Sequence, residues 1–117
     1  MNMQAIQTRY GVISGRDALV LSRHELSFSP FSLRIKASLS LAACEPEIVG
    51  VPDVNIEFYF YDIEKLSVYK VDDFPYEKYS ESSFDLIEEP VSGRKRIALS
   101  TYDYVFDITG KFDIIYS

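Results

Sequence analysis

Phe31-Ser32-Leu33-Arg34-Ile35-Lys36-Ala37-Ser38-Leu39-Ser40-Leu41 alternates apolar and polar side chains without a break. Successive side chains of a β-strand point to opposite faces, so a period of two over this length predicts a strand with one face in a core and one in water. That is the pattern of an antiparallel sheet covered on a single side. Just upstream, Leu26 and Phe28 follow the opposite phase, and Pro30 stands where the phase changes. A one-residue slip turns every side chain over, so both halves can feed one core only if a bulge, bend or short turn lies near Ser29-Pro30.

Working outward, residues 18–22 form a short strand candidate after the Ser14-Gly15-Arg16-Asp17 turn signal, and residues 6–13 another. The stretch 42–52, with Pro46, Gly50 and Pro52, reads as a connection holding one short extended piece at Ile48-Val49. Strands are expected at 54–61 and 66–71, joined through Asp62-Ile63-Glu64-Lys65 by a tight connection or one helical turn. Residues 72–82, with Pro75 and no clean period, read as a loop that covers an edge. Further strands are expected at 83–88, 95–101, 102–108 and 112–116. Thr109-Gly110 would be a two-residue hairpin turn in which glycine supplies a positive φ. No segment has the period of an amphipathic helix. The sequence predicts an all-β single domain over residues 1–117, an antiparallel β-sandwich or partly open barrel of about eight or nine short strands.

The composition, 47% hydrophobic and 26% charged, is that of a globular chain long enough to build one core without staples. Cys44 is the single cysteine, so no intrachain disulfide can form, and a buried, reduced thiol in a cytoplasmic protein is expected. No apolar run approaches the length of a membrane helix and none resembles a signal peptide, so no membrane association is expected. The net charge is −6 and lies in the second half: residues 1–52 carry five Arg/Lys against four Asp/Glu, residues 53–117 seven against fourteen. An acidic chain repels phosphate backbones, and its one basic cluster, Arg94-Lys95-Arg96, reads as a solvated loop tip; nucleic acid is not an expected ligand.

Chemical motifs are sparse. His24 is the only histidine, and with one distant cysteine it falls short of a zinc site. There is no Gly-x-Ser-x-Gly elbow, no glycine-rich phosphate loop and no calcium loop, so neither catalytic residues nor a cofactor or metal is expected. What stands out is the aromatic and acidic segment from Asn55 to Glu89. With Ile56, Phe58 and Phe60 turned inward, Glu57, Tyr59 and Tyr61 share the solvent face, beside a loop carrying Asp72, Asp73, Tyr76, Glu77, Tyr79 and Glu81. Tyrosine presents a rigid ring at low entropic cost, and a negative field speeds association with a cationic partner. These nine residues are the candidate partner-binding set. The competing interpretation is ordinary sheet decoration, since tyrosine forms strands well and acids protect edges.

In size, acidity and the run from Asp17 through Ser80-Glu81-Ser82-Ser83-Phe84 to the C-terminal strands, the chain resembles small acidic all-β bacterial proteins of unknown function, some of them toxin-immunity proteins. The resemblance carries no residue roles. It implies a non-enzymatic protein-interaction module that binds a basic toxin or other cationic protein. The alternatives are a small-ligand-binding β-barrel using a cavity near His24, or a structural subunit that forms a homodimer by edge pairing.

Overall fold

A computed structural model describes residues 4–14, 16–70, 72, 83–88 and 93–116. In chain order the strands are β1 Gln4–Ala5, β2 Gln7–Thr8, β3 Gly11–Ile13, β4 Leu19–Phe28, β5 Phe31–Leu39, β6 Cys44–Glu45, β7 Val54–Lys70, β8 Phe84–Glu88, β9 Lys95–Ser100 and β10 Tyr104–Tyr116. Two short 3-10 turns, Arg16–Ala18 and Leu41–Ala43, lie between the strands.

The alternating segment is β5, and it buries Leu33, Ile35, Ala37 and Leu39 while exposing Arg34 and Lys36. Ser29-Pro30 is the tight turn the phase change demands: Phe28 pairs with Phe31, so from Arg23 to Phe28 the even residues of β4 share a face with the odd residues of β5, and a bulge between Leu21 and Arg23 puts the odd Leu19 and Leu21 on that same face. The main sheet runs β1-β8-β9-β10-β7-β5-β4, all neighbours antiparallel, and a small sheet runs β2-β3-β6. The extended piece expected at Ile48-Val49 lies instead at Cys44–Glu45, where β6 pairs with β3. Cys44 is buried, its thiol directed at the Ser40 carbonyl at 3.7 Å, and burial pushes its pKa up.

The large sheet folds over on itself. In a flat sheet β7 and β8 would stand three strand spacings apart, roughly 14 Å. Yet the rings of Phe58 and Phe84 lie 4.9 Å apart, and Phe84 meets Phe112 edge-on at 5.4 Å. The Tyr102 amide, in the β9–β10 turn, likewise reaches across to donate to the Leu19 carbonyl of β4 at 2.9 Å. One layer holds β4, β5, the first half of β7 and the last half of β10; the other holds the remaining halves with β9, β8 and β1. The result is an all-β sandwich, not closed into a barrel, in which two long strands turn the corner between layers.

The corner corrects two expectations. Residues 54–61 and 66–70 belong to one 17-residue strand, and 102–108 and 112–116 largely to one 13-residue strand. Thr109 pairs with Lys65 and Lys111 with Tyr61, so Gly110 alone faces Asp62, Ile63 and Glu64. This is a bulge, and Asp62 adopts φ 48° within it. The three charges among residues 62–65 interrupt the apolar period and read as a loop, but a bulge at a sheet corner can leave them in water. Gly110 is therefore no hairpin glycine with positive φ. A Cβ there would lie 3.0 Å from the Tyr61 carbonyl oxygen and 3.1 Å from the Ile63 Cα, so glycine is needed because two backbones approach closely.

Gly110→Ala should therefore destabilise the protein by about 1–3 kcal/mol in urea unfolding, the usual range for overpacking against atoms that cannot step aside. Phe84→Ala, which empties the junction between the layers, should cost about 3–5 kcal/mol.

Candidate interaction surface

Strand pairing decides what surrounds the predicted tyrosine face. Glu57, Tyr59 and Tyr61 do share one side of β7, opposite the buried Ile56, Phe58 and Phe60. On β5, Lys36 stands directly across from Glu57 and Arg34 from Tyr59; on β10, Ile115, Asp113 and Lys111 stand across from Glu57, Tyr59 and Tyr61. β4 extends the rows with Arg23 beside Lys36 and Glu25 beside Arg34. This outward face thus carries four cations, Arg23, Arg34, Lys36 and Lys111, against three acids, Glu25, Glu57 and Asp113.

Its centre is organised around Glu57. Arg34 Nη1 donates to Glu57 Oε2 at 3.2 Å, and Lys36 Nζ lies 3.9 Å from Oε1. The Arg34 guanidinium also covers the Tyr59 ring at 4.4 Å from its centroid, and Tyr59 stacks on Tyr61 at 5.4 Å with 24° between the planes. Cation–π attraction and ring stacking hold this row in a fixed shape. Glu57 is only 12% exposed and already neutralised by two cations, so it positions Arg34 rather than offering a free carboxylate. A shallow cleft of about 240 Å3 beside it is lined by Arg23, His24, Glu25, Arg34, Lys36 and Glu57.

Asp72 is exposed but follows the far end of β7, where Lys70 pairs with Tyr104, at the opposite end of the β7–β10 ladder from Glu57. The structure does not bring it to the tyrosine row. Asp73, Tyr76, Glu77, Tyr79 and Glu81 lie outside the described residues. Sequence reasoning missed Arg34, Lys36, Lys111 and Asp113 as members of the surface. Their signal was the polar phase of β5 and β10, which cannot be assigned to β7 until the strand order is known.

At the corner, Arg94 donates from Nη2 to Asp62 Oδ1 at 3.0 Å and from Nε to the Asp62 carbonyl at 3.2 Å, with Glu64 at 3.6 Å. Lys111 Nζ lies 3.6 Å from Asp62 Oδ2. Arg96 makes a two-pronged pair with Asp107 at 2.8 and 3.1 Å. The basic cluster is thus not a bare loop tip: Arg94 and Arg96 are held in ion pairs within the fold.

A second feature opens between the layers: an apolar groove of about 310 Å3. Leu21, Leu26 and Leu33 line one wall, Leu66, Val68 and Phe106 the other, and His24 and Tyr104 are its polar members. Among the described residues no group of three or more His, Cys, Asp or Glu is placed to hold a metal ion, and no helix is long and apolar enough to cross a membrane. In comparisons with protein-family models, characterised proteins and solved structures, nothing matches this chain.

The hydrogen bond from Arg94, reinforced by the charges of Arg94 and Lys111, holds the Asp62 carboxyl below the ordinary aspartate pKa. A depressed pKa contributes stability that is present above the unfolded-state value, about 3.9, and is lost as pH falls through the folded value. Arg94→Ala should raise the Asp62 midpoint in an NMR titration. Its stability difference from the native protein should shrink below about pH 4 and stay constant above pH 6.

Proposed function

We propose that this chain is a non-enzymatic protein-interaction module whose docking surface is the Arg34–Tyr59–Tyr61 row on the outward face of β5 and β7. The observation that carries this is the stack itself: a guanidinium over one ring and that ring over another, on a sheet face left in water. Pre-formed aromatic and arginine groups are what binding hot spots are made of, because little side-chain freedom remains to be lost on docking. The partner we propose is a basic protein, as in toxin–immunity pairs of the bacterial cytoplasm, and the net charge of −6 supports it through long-range attraction. Glu57 being occupied, the acid beside the row that meets partner cations is Asp113, while the acids Asp72, Asp73, Glu77 and Glu81 add to the long-range attraction.

The test is capture of the partner from a lysate of the native host, its identification, and titration against variants. Tyr59→Ala and Tyr61→Ala should each weaken binding at least tenfold, about 1.4 kcal/mol or more. Lys at Asp72, Asp73, Glu77 and Glu81 together should slow association and flatten its salt dependence. Full affinity in all of these variants would sink the proposal.

A second function, binding of a small apolar ligand, is favoured by the groove near His24, whose volume suits a compact hydrophobic molecule. On this second proposal, anilinonaphthalene sulfonate should bind the native protein saturably at one site, and Val68→Arg should abolish the fluorescence gain. Unsaturable or unchanged fluorescence would remove this alternative.

A further inference from the structure

β4 is an outer strand of the large sheet. Its Leu19 carbonyl accepts from Tyr102, but from Val20 to Phe28 the outward backbone groups have no backbone partner among the described residues. An unpaired edge of this length is a template for another strand, and proteins usually blunt such edges with charge. The charges on this edge are Arg23 and Glu25, which flank His24 and sit on the outward face across from Lys36 and Arg34.

Arg-His-Glu is self-complementary when reversed. We infer that two copies of the chain pair antiparallel through β4, with His24 opposite the second copy's His24 at a twofold axis. In that register Arg23 of each copy stands opposite Glu25 of the other, twice over. A twofold axis perpendicular to the sheet keeps like faces together, so neighbouring registers differ by steps of two residues in pair sum. The register on one side places Glu25 against Glu25, and that on the other places Arg23 against Arg23. Directly opposed like charges destabilise a strand pair and opposite charges stabilise it, so the sequence selects the middle register. The bulge between Leu21 and Arg23 bounds the regular stretch. The pairing joins two main sheets edge to edge and leaves the Tyr59–Tyr61 face uncovered on both copies.

Light scattering and sedimentation across a concentration series should show a reversible dimer of the native chain. Arg23→Glu and Glu25→Arg should each raise its dissociation constant at least tenfold, and mixing the two variants should restore a heterodimer, which also shows that both are folded. Under mild oxidation His24→Cys should form a disulfide-linked dimer, whereas Leu26→Cys should not. A native chain that stays monomeric at millimolar concentration, a mixture that fails to associate, or cross-linking at residue 26 in preference to 24 would each overturn the inference. None of these outcomes depends on whether a basic partner binds the tyrosine row.

Discussion

The whole molecule hangs on the corner where one residue, Gly110, faces three, Asp62 to Glu64. Adding two residues to one strand of a ladder lengthens that side and bends the pair, while keeping inward residues inward on both sides of the bend. Phe60 and Phe112 therefore face the core before the corner, and Leu66, Ile108 and Phe106 after it. Without the bend, the row of Phe58, Phe84 and Phe112 could not close, and a seven-stranded sheet would leave one apolar face in water. The corner is exposed on its outer side, where Asp62 takes hydrogen bonds and charge from Arg94 and Lys111. Polar groups there satisfy the displaced backbone of β7, notably the Asp62 carbonyl.

That bend also creates both the outward tyrosine face and the apolar groove. Outside it, β4, β5, the first half of β7 and the last half of β10 surround a tyrosine pair with charges of both signs. Inside it, the layers diverge away from the aromatic junction and leave the groove between β4 and the second half of β7. A chain with net charge −6 thus presents one face that is locally balanced, because antiparallel pairing sets Lys36 against Glu57 and Glu25 against Arg34. Such cross-strand pairs contribute modestly to stability at exposed positions but fix the position of each side chain. Rigidity of the Arg34–Tyr59–Tyr61 row is their structural consequence.

The sequence by itself determined the fold class, the turn at Ser29-Pro30, the inward set of β5 and the sharing of one face by Glu57, Tyr59 and Tyr61. These depend on the period-two geometry of a strand and on proline, which act locally. Tertiary structure decided that residues 54–70 are one strand, that Gly110 answers a close backbone approach, and that Glu57 is held between Arg34 and Lys36. Each of those depends on which strands lie side by side. Alternation reports which way a side chain points, but not what stands beside it, and residues as far apart as Arg34 and Glu57 become neighbours only when the sheet assembles.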